Sequence, residues 1–123
     1  MDECKPLHHG REVTTVRLDE EFASVTSVPF LKLDVEGNEM EVLRSAEGLF
    51  HRKAIRSLVV EVRPNQVEMA ELLYSHGFRC VIADHVFYDG GGKFAPASEA
   101  EMAALIAAVS PHVDLYCRLE TLR

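Results

Sequence analysis

The stretch Pro29-Phe30-Leu31-Lys32-Leu33-Asp34-Val35-Glu36-Gly37-Asn38-Glu39-Met40-Glu41-Val42-Leu43 constrains the fold more than any other. Its first part reads as a strand over 30–35, with apolar Phe30, Leu31, Leu33 and Val35 on both faces, as in a strand covered on both sides. Its second part reads as a helix over about 38–52. Met40, Leu43, Ala46 and Leu49 or Phe50 recur there every three to four residues and form one apolar stripe. Between them lie Asp34, Glu36, Gly37 and Asn38. Gly37 permits a sharp turn and Asn38 is a helix cap by type. In an open α/β sheet, acids at the carboxyl end of a strand lie on the edge where ligands bind.

The rest of the chain repeats this alternation. Residues 1–12 are polar and contain Pro6 and Gly10; they read as a flexible arm. Val13 to Leu18 is rich in β-branched residues and is expected to be a short strand or extended segment. Asp19 is placed to cap a helical turn through Phe22. A second strand is expected over 55–62, again apolar on both faces. Asn65 with Glu68 resembles a capping box. A helix striped by Val67, Ala70 and Leu73 or Tyr74 follows, and Gly77 stands where a C-terminal cap prefers it. A third strand is expected over 78–83, with Val86-Phe87-Tyr88 as its extension and 89–93 as a turn. Ser98 with Glu101 marks a third helix, Pro111 its end, and Val113 to Leu119 alternates like a strand at or near a sheet edge. Strands alternating with helices define an α/β layered fold with a mainly parallel sheet.

Composition excludes some classes of function. The net charge is -7 and no Lys/Arg cluster stands out, which argues against nucleic-acid binding. No apolar run approaches the roughly 18 residues that span a bilayer, and residues 1–5 lack the pattern of a signal peptide. A cytoplasmic protein with no membrane partner is therefore expected. Cys4, Cys80 and Cys117 have no zinc-ribbon or redox-pair spacing; Cys80 and Cys117 are expected as small buried hydrophobes. The six histidines show no ligand spacing, so no metal site is assigned.

Several of these segments resemble the FkbM-type methyltransferases. Phe30-Leu31-Lys32-Leu33-Asp34-Val35-Glu36-Gly37-Asn38-Glu39-Met40-Glu41-Val42-Leu43 is similar to that family's LKIDVEGxExxVL signature. Val16-Arg17-Leu18-Asp19, Leu58-Val59-Val60-Glu61-Val62 and His76-Gly77-Phe78 also fit the family's pattern. The resemblance covers roughly residues 13–83 well and the tail loosely. It implies a class I, Rossmann-like sheet that binds S-adenosylmethionine, with 30–35 as its fourth strand and the last strand antiparallel between the fifth and the sixth. Residues 13–123 would then be the C-terminal half of such a domain, with the first strands missing.

The activity implied is methyl transfer from S-adenosylmethionine to an acceptor oxygen on a small molecule or sugar. The site implied has Asp34 and Glu36 as catalytic carboxylates and Glu39 and Glu61 as substrate-binding ones. In the competing structural reading, Glu36 and Glu39 only stabilise a helix start, Asp34 accepts backbone N–H bonds and Glu61 pairs with Arg63. The family's glycine-rich turn after its first strand has no counterpart before Val13. Gly90-Gly91-Gly92 lies late in the chain without G-x-G-x-x-G spacing and reads as a turn. The polypeptide alone is therefore expected to lack a cofactor cradle and to be inactive. The alternative function is a truncated, non-catalytic α/β interaction module. Two further expectations concern the strand at 30–35. Lys32, on a buried strand, should reach the sheet end or meet an acid. An apolar strand without a second neighbour should pair with another copy of the chain.

Overall fold

The computed structural model describes residues 13–84 and 94–120. Four strands, β1 (Leu31–Leu33), β2 (Ser57–Val62), β3 (Phe78–Ile82) and β4 (Val113–Leu119), form one sheet in the order β1-β2-β4-β3. β1 runs parallel to β2, and β4 is antiparallel to both β2 and β3. The first three strands therefore point the same way, and the last is inserted against them. β4 lies one place in from the β3 edge, antiparallel between β2 and β3, as the resemblance implied for the last strand. The parallel register of β1 on β2 is prolonged backwards by a single bridge between Val28 and Ile55.

Five helices lie wholly within the described residues: α1 (Leu18–Glu21), α2 (Glu39–Ser45), α3 (Glu47–His51), α4 (Glu68–Ser75) and α5 (Glu99–Ala108). The single helix expected over 38–52 is two helices, broken at Ala46. The Ser45 hydroxyl donates to the Val42 carbonyl at 2.7 Å and accepts the Leu18 N–H at 3.3 Å. A hydroxyl bonding to its own helix competes with the backbone ladder. Gly48 then gives its N–H to the Asp19 carboxylate at 3.2 Å. A Cβ on Gly48 would meet the Asp19 Cβ at 3.1 Å, so the close approach of α1 to α3 depends on that glycine. Asp19 lies inside α1 rather than capping it. The Arg17 side chain, through hydrogen bonding, and the Gly48 amide hold its carboxyl below the ordinary value.

Of the expected caps, the Ser98–Glu101 capping box forms with both reciprocal bonds at 3.1 Å. Asn38 stands at the N-cap of α2 without a side-chain cap bond, and the Asn65–Glu68 box does not form, because α4 starts at Glu68 itself. Gly77 ends α4 at φ +89°, a conformation that favours glycine. Residues 13–17 carry no regular structure and join no sheet among the described residues. The expected strand at 86–88, the turn at 89–93 and the arm at 1–12 lie outside the described residues.

The core lies between the helices and one face of the sheet. Leu58, Val60, Leu115, Cys117, Phe78 and Cys80 from the strands meet Leu43, Leu49, Phe50, Leu73, Met102 and Ile106 from the helices, all nearly solvent-free. Each large side chain so buried contributes about 1.5–3 kcal/mol. Phe50 is set edge-on to Phe78 at 5.6 Å and stacks on His76 at 5.0 Å. Cys80 and Cys117 are buried as expected, but they also face each other across β3 and β4 and are joined as a disulfide.

The strands are not covered on both faces. On β2, Leu58, Val60 and Val62 are buried while Ser57, Val59 and Glu61 are half-exposed. The same alternation runs through β4, where Asp114 and Arg118 are exposed and Tyr116 is half-buried. Phe94 packs edge-on to Tyr116 on this outer face and lies under the Arg118 guanidinium. Lys32 also belongs to the outer face. It is exposed and makes no ion pair among the described residues, so the expected buried pairing does not exist.

Candidate functional site

Because β1 and β2 are parallel, their carboxyl ends lie side by side. β1 leads into Asp34, β2 carries Glu61 near its end, and both chains then turn back into helices on the core side. This is the sheet edge where an open α/β fold binds ligands.

The turn after β1 spans Val35 to Asn38, closed by the Asn38 N–H to the Val35 carbonyl at 3.4 Å. Its two central residues have positive φ, +51° at Glu36 and +103° at Gly37. That pairing is the signature of a type I′ turn. Gly37 adopts it freely, whereas at Glu36 it costs roughly 1–2 kcal/mol. The turn persists because Glu39 holds it from inside. Glu39 is 0% exposed. One carboxylate oxygen accepts the Val35 N–H at 2.9 Å and the other the Gly37 N–H at 3.0 Å. Burial pushes the Glu39 carboxyl up, but its own amide, those of Val35 and Gly37, and the Gln66 amide group outweigh this. They hold the carboxyl below its ordinary value.

Gln66 joins this turn to the one after β2. Its side-chain oxygen accepts the Arg63 N–H at 2.8 Å. Its amide nitrogen donates to the Gly37 carbonyl and to Glu39, each at 3.4 Å. Glu61 is bound on its own side by the Arg63 guanidinium at 3.2 Å, and His112 lies 3.8 Å from its other oxygen. Asp114 stands opposite Glu61 in the β2–β4 register. Burial, then Glu61, Asp34 and Asp84, raise the Asp114 carboxyl above the ordinary range against the lowering effect of His112. The Arg63 Nε is buried and has no hydrogen-bond partner among the described residues.

Of the four acids expected at the site, three come together. Carboxylate oxygens of Asp34, Glu39 and Glu61 lie within 4.8 Å of one another. Glu36 is exposed in the turn and is not part of that group. The three are not equivalent. Both oxygens of Glu39 hold backbone amides, and Glu61 carries a guanidinium. Asp34 is exposed and accepts no hydrogen bond among the described residues, which leaves it the carboxylate open to an incoming hydroxyl or cation. A divalent ion bound here would find oxygen donors of the right type, but Glu39 would have to release the turn to serve it. Gln66, His112 and Asp114 were not singled out from sequence. The signal for Asp114 was the antiparallel last strand beside the second, which sets 114 level with 61. No such signal existed for Gln66, since a glutamine four residues beyond a strand is ordinary.

The described surface also has an open cleft of about 550 Å³ lined by Asp19, Glu47, Gly48, His51 and Arg52. It lies against α1 and α3, away from the strands' carboxyl ends.

The architecture is thus an α/β domain with paired parallel strands whose carboxyl ends present a carboxylate group. The model of the methyltransferase FkbM domain matches residues 5–80, more than half of the chain, and the protein belongs to that family. A search of the curated proteins and a search of the solved structures each gave no match. No described helix is long and apolar enough to cross a membrane.

Proposed function

We propose that the protein is the C-terminal half, residues 13–123, of a class I, Rossmann-like methyltransferase domain. Its reaction is transfer of a methyl group from S-adenosylmethionine to an oxygen of a small molecule or sugar. The observation that carries this reading is the carboxylate group at the paired ends of β1 and β2 in a chain of the FkbM family. S-Adenosylmethionine supplies a methyl on a positively charged sulfur, and an acid-lined sheet edge suits that charge. The fit is partial. Among the described residues no glycine-rich turn opens a helix. These residues supply one wall of a site and not the cofactor's cradle.

On that wall Asp34 is the group placed to accept the proton of an acceptor hydroxyl as the oxygen attacks. Glu61, steadied by Arg63, hydrogen-bonds and orients the acceptor. Glu36, exposed in the turn and outside the carboxylate group, is the second carboxylate of the proposed pair. Glu39 acts through the turn it holds and is a positioning residue. A cytoplasmic location goes with the reading, whereas the Cys80–Cys117 disulfide favours an oxidising compartment; thiol counting on freshly isolated protein separates the two.

Calorimetry with S-adenosylmethionine tests the proposal. A dissociation constant below about 100 μM, roughly 5.5 kcal/mol of binding, would make the chain itself a cofactor-binding unit. No binding at about 1 mM leaves the second reading, a non-catalytic α/β module. That reading is favoured by the missing cradle and by an outer sheet face that no described helix covers.

A further inference from the structure

We propose that His112 is a positioning residue of this site and makes it sensitive to pH. Protonated, its imidazole takes the open oxygen of Glu61; neutral, it leaves that oxygen to the acceptor. The proposal rests on the reading of Glu61 as the carboxylate that orients the acceptor, and adds how that carboxylate is governed.

Topology brings His112 to the site. β4 runs antiparallel to β2 and sets Asp114 against Glu61 and Val113 against Val62, so the chain enters β4 at the carboxyl end of β2. His112, one residue earlier, is carried to the same edge as Asp34, which arrives from β1. The two oxygens of Glu61 are then unequal. One accepts an N–H of the Arg63 guanidinium at 3.2 Å, and the other lies 3.8 Å from the His112 Nδ1. At that distance the ring makes no hydrogen bond, yet it is within ion-pair reach. A neutral ring leaves the second oxygen open, and a protonated ring engages it. The Glu61 side chain is 14% exposed and that of His112 47%. The carboxylate is the held member of the pair, and the imidazole is the one with room to turn.

The surrounding charges favour the contact once the ring is protonated. Burial raises the Asp114 carboxyl most; Glu61, Asp34 and Asp84 raise it further, and His112 lowers it, so these groups share one electrostatic neighbourhood. Glu39 adds its carboxylate from α2, within 4.8 Å of Asp34 and Glu61. An imidazolium here meets acids from β2, β4, α2 and the segments after β1 and β3. The cation opposing it among the described residues is Arg63. Imidazole is the side chain whose ordinary titration crosses about pH 5–8, whereas carboxylates of ordinary strength stay ionised over that range. The contact is therefore present at the lower end and lost as pH rises. An exposed ion pair is weak, so the grip on Glu61 should change about three- to fivefold rather than completely.

Carbon-13 NMR of the Glu61 side-chain carboxyl in the full chain tests this, over about pH 5 to 8.5, with the resonance assigned by its loss in Glu61→Gln. The unaltered chain should show a step in that range. His112→Gln should abolish the step and hold the resonance at its high-pH position. His112→Lys, a cation throughout, should abolish the step and hold it at the low-pH position. Asp114→Asn should keep the step, because the imidazole remains. His112 is half-exposed, and far-ultraviolet circular dichroism checks that each variant is folded. An unaltered chain without the step, a step that survives His112→Gln or vanishes in Asp114→Asn, or a His112→Lys chain that matches His112→Gln would each overturn the proposal. The measurement needs neither cofactor nor acceptor. A flat calorimetric titration with S-adenosylmethionine would count against methyl transfer and leave the His112–Glu61 contact standing; a flat NMR titration would do the reverse.

Discussion

The two edges of the sheet are treated in opposite ways. At the β3 edge the backbone of Cys80 is fully engaged. Its N–H donates to the Tyr74 hydroxyl at 3.1 Å, and its carbonyl accepts the Ala97 N–H at 3.3 Å. The Tyr74 hydroxyl in turn donates to the Ala97 carbonyl at 2.7 Å. α4 therefore reaches over the edge with a buried tyrosine, and the chain entering α5 seals it. The disulfide to Cys117 ties the same residue inward. At the β1 edge nothing comparable exists among the described residues. An edge closed by side chains needs no neighbour, whereas an edge left bare asks for one. The contrast marks β1 as the open edge of the described sheet.

Perturbing the closed edge should have the largest effect. Reducing the disulfide, or replacing both cysteines by alanine, should lower stability by about 2–4 kcal/mol, read as a lower urea midpoint. An unchanged midpoint would mean that the bridge adds nothing to that edge. At the open side the security lies in the turn rather than the edge. Glu39→Ala should leave the Val35 and Gly37 amides unpaired and lose about 2–3 kcal/mol in the same titration. Because the Glu39 carboxyl is held below its ordinary value, its contribution is present above the unfolded carboxyl range. It should disappear as pH falls through the depressed folded value. Glu39→Gln should therefore flatten the acid limb of the stability profile.

Tyr74→Phe removes only the edge cap and should cost about 1–2 kcal/mol. It should also speed amide exchange at Cys80 while leaving β1 unaffected. If exchange at Leu31 rose equally, the two edges would not be separable. The smallest effect is a gain. Asp114 has a raised carboxyl, so the folded protein binds its proton more tightly than the unfolded chain, and stability falls as pH rises through the raised value. Asp114→Asn should raise the melting temperature slightly at pH 7 and lose that advantage below about pH 4.

Much of this was legible in the chain. The βα unit at 30–45, the strand at 55–62 and the capping box at Ser98 follow from apolar spacing and cap chemistry, which act locally. Sequence misjudged what depends on neighbours. β2 reads as buried on both faces because Val59 is apolar, yet it is half-exposed, since periodicity cannot say whether a second layer exists. The break at Ala46 came from a serine and a glycine answering to α1, which no helix template contains. At the site, the acids were legible as residue types at a strand end. Their division of labour was not, because it depends on which amides point at which oxygens.

Gln66 touches no acceptor in the proposed chemistry, yet it ties the two returning loops into one piece. With one side chain bonded to Arg63, Gly37 and Glu39, the loop after β1 cannot shift without carrying the loop after β2. The backbone positions of Asp34 and Glu61 are therefore set relative to one another before anything arrives. A hydroxyl entering between them would meet a gauge already set to width, and its binding energy would not be spent on arranging the jaws.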